Sequence, residues 1–157
     1  MDTLWQIQPV EGEAALASVR TLLQEYWDSF GFTPCFQNFG EELAGLPGAY
    51  APPGGRLALA TVNGEPAGCI ALRRVDSRRA EAKRLYVRQG FRGSGLGRAL
   101  LEWAVAQARA AGYREVVGDT MPEMHDALAL YDRMGFKRAD PYSEHPTEGA
   151  IFIRIEL

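Results

Sequence analysis

Arg92-Gly93-Ser94-Gly95-Leu96-Gly97 stands between an apolar extended run, Ala82-Lys83-Arg84-Leu85-Tyr86-Val87, and a long alanine-rich stretch. From Arg98 to Ala111, the residues Leu100, Leu101, Ala104, Val105 and Ala108 recur at the three-and-four spacing of an amphipathic helix. Gly112 then supplies a left-handed stop. A glycine-rich turn between a strand and a helix leaves the first helical amides unpaired and pointing one way. With roughly half a positive charge from the helix dipole, those amides form an anion site, and phosphate is the natural guest. A plain strand-to-helix turn without a ligand is the alternative reading of the same residues.

Spacing separates the kinds of phosphate loop. A dinucleotide fold needs G-x-G-x-x-G, but Arg98 stands at the third glycine position. A nucleoside-triphosphate loop needs G-x-x-x-x-G-K-[ST], and no Gly-Lys-Ser/Thr occurs in the chain. What matches is R-x-x-G-x-G, with Arg92, Gly95 and Gly97 in the defining places. This resembles the pyrophosphate-binding motif of the GNAT N-acetyltransferase superfamily, which binds acetyl-coenzyme A. The likeness extends over nearly the whole chain. Leu85-Tyr86-Val87 resembles the family's apolar-x-apolar strand end, and Glu115 to Thr120 its next strand. Leu130-Tyr131-Asp132-Arg133-Met134-Gly135-Phe136 resembles its Leu-Tyr-x-x-x-Gly-Phe signature, with all three in the family's order.

Composition is consistent with that resemblance. A chain of 157 residues suits one domain over 1–157, able to bury about 68–70% of its unfolded surface. The hydrophobic fraction of 46% is that of a globular protein. No apolar run approaches the roughly 20 residues of a membrane span. Met1-Asp2-Thr3 lacks the basic start of a signal peptide. Cys35 and Cys69 give no metal cluster and no reason to pair, so a cytoplasmic, reducing location and no membrane association are expected. A net charge of −3 argues against nucleic acid as a partner. A monomer or homodimer is expected.

Along the chain, Leu4 to Pro9 reads as a strand and Glu11 to Phe30 as an amphipathic helix ended by Gly31-Phe32-Thr33-Pro34. A shorter helix is expected over Gln37 to Leu46, closed by Pro47-Gly48. Leu57 to Asn63 and Ala67 to Val75 read as strands joined at Asn63-Gly64, where both residues favour positive φ. Lys137 to Asp140 and Ala150 to Glu156 supply two further strands. Ile151, Ile153 and Ile155 alternate with Phe152, Arg154 and Glu156 as in a half-buried strand. The order is strand, two helices, three strands, helix, strand, helix, two strands. The resemblance implies an α/β GNAT fold, a mixed twisted sheet of about seven strands with helices on both faces.

The resemblance also implies roles. The backbone of Arg92, Gly93, Ser94, Gly95, Leu96, Gly97 and Arg98 grips the pyrophosphate, with glycine letting phosphate approach the main chain. Ser94 adds a possible hydroxyl donor, and Arg92 orders the loop or reaches a phosphate. Leu85, Tyr86 and Val87 pair with the pantetheine arm where two strands splay apart just past Val87, and an amide there faces the thioester carbonyl. Tyr131 takes the place of the general acid that protonates the departing sulfur. Glu81, four residues before Leu85, takes the place of the general base. Asp119 and Glu123 are alternatives for it. A base is needed because an amine with a pKa of about 10.4 is protonated near neutrality, and freeing it costs on the order of 4.6 kcal/mol. One departure from the family stands out. Met124 occupies a position that is asparagine in many members, so a cofactor contact is missing or is replaced by His125 or water.

The acceptor is expected between the first two helices, their connecting loop and the loop between the last strands. Trp27, Phe32, Phe36, Tyr50, Asp119 and Tyr142 are its candidates, with Glu144 and His145 as polar additions. His125 and His145 are isolated and have no companions at metal-ligand spacing, so no metal is expected. The run Glu42 to Pro53 resembles one in a bacterial subgroup of small GNAT proteins. The expected reaction moves an acetyl group from acetyl-coenzyme A to a primary amine of a small molecule, by direct attack in a ternary complex. Acetylation of a protein lysine or N-terminus, or coenzyme A binding without catalysis, are the alternatives.

Overall fold

In a computed structural model of the chain, residues 5–30 and 38–157 are described. Seven strands form one sheet in the order β1-β2-β3-β4-β5-β7-β6. They are β1 (Trp5–Pro9), β2 (Arg56–Val62), β3 (Glu65–Arg74), β4 (Arg79–Val87), β5 (Glu115–Thr120), β6 (Lys137–Arg138) and β7 (Ile151–Glu156). Among the described residues only β4 and β5 pair in parallel; the other ladders are antiparallel. Helices α1 (Gly12–Asp28) and α2 (Phe39–Ala44) cover one face. Helices α3 (Leu96–Ala110) and α4 (His125–Arg133) cover the other. This is the expected GNAT architecture.

Local chemistry explains the element ends. Asn63 and Gly64 adopt φ of 52° and 81°, the paired left-handed residues of a tight hairpin between β2 and β3. Gly112 ends α3 at φ 92°. α3 begins two residues earlier than its apolar periodicity indicates, at Leu96, because Gly95 at φ 93° caps it directly. The second helix is shorter than the expected Gln37 to Leu46, and a 3-10 turn at Gly48–Tyr50 follows it.

The two cores are read from strand parity. Ile70 and Leu72 of β3 face α3, where Leu100, Leu101, Ala104 and Ala108 are fully buried against them. Cys69 and Ala71 face the other way, towards Val19, Leu22 and Leu23 of α1. Each such Leu or Ile contributes about 1.5–3 kcal/mol through burial. The terminal strand departs from the half-buried expectation: both Phe152 and Ile153 are buried. Tyr142, from the loop before β7, lies edge-on over Phe152 with ring centroids 5.4 Å apart, covering that face.

Candidate active site

The parity of β4 changes within the strand. Ala80 and Ala82 face the α3 side, but further along it is Leu85 and Val87 that do, while Tyr86 faces α1. The change occurs at a bulge. Cys69 pairs with Tyr86 and Ala71 with Lys83, so Ile70 alone opposes both Arg84 and Leu85. Arg84 holds φ at 60°, rare for a residue with a side chain. The bulge therefore turns Lys83 and Arg84, neighbours in sequence, into one cavity on the α2 side. Strand pairing with β5 is lost at the same place: the last registered pair is Glu81 with Val117. The split thus opens past Glu81, earlier than the expected position past Val87.

Two cavities lie along this strand, lined by the neighbours Leu85 and Arg84 respectively. The first, about 710 Å³, is lined by Leu85, Tyr86 and Val87, by Arg92, Gly93, Gly95, Leu96, Gly97 and Arg98, and by the start of α4 including Met124 and His125. All the expected cofactor residues except Ser94 line it. Ser94 donates its hydroxyl to Phe91 O at 2.7 Å instead, closing the loop on itself. Arg92 also orders the loop: its Nε donates to Val87 O at 2.8 Å and its guanidinium lies 5.9 Å from the Tyr86 ring centroid. α3 has no side-chain cap, and its first intrahelical bond is Ala99 N to Gly95 O. The amides of Leu96, Gly97 and Arg98 precede that bond and lie at the cavity, a fit for an anionic diphosphate. Met124 in the asparagine position accepts a contact from Thr120 Oγ1 at 3.2 Å.

The second cavity, about 470 Å³, lies where β4 continues back towards its start. Glu81, Lys83 and Arg84 of β4 line it with Arg73 of β3 and Asp119 of β5. Leu46 to Tyr50, and Tyr142, Ser143, His145, Pro146 and Thr147, also wall it. Register explains the cluster: Arg73 lies directly across from Glu81, Lys83 follows two residues on, and Asp119 lies two beyond Glu81's partner Val117. Glu81 is 2% exposed. Arg73 Nε donates to one of its oxygens, the Tyr142 hydroxyl donates to the other, and Lys83 Nζ stands 3.7 Å away. These donors offset the cost of burying the carboxylate. Burial, then the charges of Glu81 and Asp119, pushes the Tyr142 hydroxyl well above its ordinary range, so it stays a neutral donor. Burial and repulsion from Glu81 also raise the Asp119 carboxyl, although Lys83 and Arg84 oppose them.

Arg84 forms a two-bond pair with Glu42 of α2, 2.8 Å from Nε to Oε2 and 2.6 Å from Nη2 to Oε1. Burial alone would raise the Glu42 carboxyl, yet hydrogen bonds from Arg84 and Tyr50 and the Arg84 charge hold it below its usual range. The pair ties the bulge to the cavity wall. Of the expected acceptor residues, Tyr50, Asp119 and Tyr142 line this cavity. Trp27 does not; it stacks on Phe39, centroids 4.7 Å apart. Phe32 and Phe36 lie outside the described residues. α1 contributes Tyr26, Ser29 and Phe30 to the other cavity instead. Tyr131 is 6% exposed and packs against Phe136, with centroids 5.2 Å apart. It lines neither cavity, unlike Glu81. Of the polar additions, His145 lines the acceptor-side cavity and Glu144 does not; Glu123, an alternative for the base, lines the cofactor-side one.

Comparison with known proteins settles the family. Residues 16–136 match the model of the Acetyltransferase (GNAT) family. The chain belongs to this family. Among GNAT relatives, an uncharacterized N-acetyltransferase of Schizosaccharomyces pombe is 35% identical over 144 residues, spanning 90% of this chain and 88% of its own. The GNAT fold extends to an acetyltransferase from Streptococcus agalactiae, with a TM-score of 0.80 at 23% identity over 98% of both chains. It extends also to yncA of Salmonella typhimurium, a structure with its cofactor acetyl-CoA, with a TM-score of 0.78 at 18% identity over 98% of this chain and 94% of that one. As a GNAT member this chain is an acyltransferase. Arg73 and Lys83 were not singled out from the sequence, where each lies inside a run read simply as a strand, Ala67 to Val75 and Ala82 to Val87. Their cross-strand and same-strand spacing to Glu81 was the available signal. Among the described residues no group of three or more His, Cys, Asp or Glu is placed to hold a metal. No helix there is long and apolar enough to cross a membrane.

Proposed function

We propose that the protein transfers an acetyl group from acetyl-coenzyme A to the primary amine of a small molecule, both bound at once. The observation that carries this reading is the sharing of β4: Leu85 to Val87 line the diphosphate-side cavity, and Glu81, Lys83 and Arg84 line the charged one. A thioester delivered along the first reaches the second at the bulge. The acetyl-CoA bound as cofactor in the similar fold of yncA supports the choice of donor.

The residues divide the work. The amides of Leu96, Gly97 and Arg98 hold the diphosphate, and the freed backbone of β4 orients the arm. Two protons leave the acceptor nitrogen. Glu81 takes the first and passes it to solvent; the nitrogen pair then forms the amide bond as the carbon–sulfur bond breaks. Tyr131 gives one proton to the departing sulfur and recovers one from the second. The wall segments around Leu46 to Tyr50 and around Tyr142, His145 and Thr147 shape a recess of about 470 Å³, which favours a small acceptor over a protein surface. The test is thiol release from acetyl-coenzyme A with simple amines, polyamines, amino acids and lysine peptides. Turnover confined to one small-molecule class supports the reading; turnover on peptides alone favours a protein acceptor. In Tyr131→Phe, kcat should fall on the order of 100-fold with cofactor affinity nearly unchanged. An undiminished kcat removes Tyr131 as the acid.

A further inference from the structure

Three cations line the charged cavity, and they are not equally engaged. Arg84 is matched by Glu42 through two short bonds. Arg73 spends only its Nε, on Glu81, and its side chain is 36% exposed. Among the described residues its two Nη groups make no hydrogen bond. Lys83 is the more telling. Its side chain is 17% exposed, its nearest carboxylate oxygen is 3.7 Å away, and it donates no hydrogen bond to any described residue. Its stem is largely buried, but no described side-chain nitrogen is both buried and without a partner, so the ammonium keeps its three donors open to the cavity for a bound acceptor group to fill.

We infer that the acceptor carries a carboxylate beside its amine, that is, an amino acid, and that Arg73 and Lys83 are the specificity residues that bind that carboxylate. The inference rests on the transfer reading above and names its substrate class. A planar carboxylate suits the free Nη fork of Arg73 and the unfilled donors of Lys83 together. The opposite charges lie next to them: Glu81 is directly across the ladder from Arg73, and Asp119 lines the same wall. Adjacent patches of opposite sign match the closely spaced ammonium and carboxylate of an amino acid. A polyamine would place a second cation against Arg73 and Lys83 and is disfavoured. The same contact serves the chemistry. Both oxygens of Glu81 hold a donor, so an acceptor carboxylate that draws Arg73 aside opens one of them to the amine proton.

The experiment pairs each amino acid with the amine left when its carboxylate is removed, and follows thiol release from acetyl-coenzyme A. Wild type, Arg73→Gln and Lys83→Met are compared, with folding checked by thermal melting and cofactor binding by the shift acetyl-coenzyme A gives. The carboxylated acceptor should show at least about 10-fold higher kcat/KM in wild type, as charged hydrogen bonds commonly give. Each variant should erase that preference mainly by raising KM for the amino acid. Lys83→Met keeps the test open if Arg73→Gln disturbs Glu81 or the fold. Equal rates on both members of a pair, a preference for the decarboxylated amine, or equal losses on both in the variants overturns the inference and leaves acetyl transfer standing. Turnover of lysine peptides alone also overturns it. No turnover together with no acetyl-coenzyme A shift overturns the transfer reading itself.

Discussion

Asp119 shows what burial in a charged cavity does to a single carboxyl. Burial and the nearby Glu81 charge raise its carboxyl above the ordinary range. The folded protein therefore holds that proton at pH values where the unfolded chain has released it. The resulting penalty is absent below the unfolded carboxylate range, near pH 3.9, and grows as pH rises through the higher folded value. Asp119→Asn should accordingly raise the melting temperature at about pH 7.5 and leave it nearly unchanged at about pH 3.5. A thermal scan at the two pH values measures this, and an equal effect at both would contradict it. Asp119 and Glu81 could be named from sequence, by their places near strand ends in a resembling chain. What surrounds them could not. The Tyr142 bond to Glu81 spans 61 residues of chain, and no local pattern announces it.

At the scale of the element, the bulge in β4 joins fold to site. The alternation of Ala80, Glu81, Ala82 and Lys83 reads as an ordinary strand, and nothing in Arg84 or Leu85 signals the left-handed residue between them. Arg84 is held at φ 60° by the bulge geometry and by its pair with Glu42. Arg84→Ala removes the pair and leaves Glu42 partly buried without its partner; urea unfolding should register a loss of about 1–3 kcal/mol. Arg84→Gly loses the pair too but relieves the backbone, so it should be more stable than Arg84→Ala by about 1 kcal/mol. If the two variants are equally stable, the bulge carries no strain. By contrast the hairpin at Asn63-Gly64 and the stop at Gly112 were legible, because there the residue type alone selects the backbone region.

For the molecule as a whole, the cofactor-side cavity joins α3, α4, β4 and part of α1, elements drawn from both faces of the sheet. A ligand filling it stabilises the folded state by mass action, about 2.7 kcal/mol at 100 times its Kd. For a chain of this size, acetyl-coenzyme A at that concentration should raise the melting temperature by roughly 5–10 °C. Absence of a shift at saturating cofactor would remove the assigned groove. The helices on both faces came with the GNAT resemblance; the amino-acid sequence by itself determined the order of the elements and the glycine turn that caps α3. These follow from hydrophobic period and from the few residues that tolerate positive φ, both local properties. Only the tertiary structure decided where the strands part, which way Lys83 and Arg84 face, and that Arg73, Glu81, Asp119 and Tyr142 share one cavity. Those arrangements depend on register between strands remote in sequence, and a bulge of one residue reverses the side on which every later side chain falls.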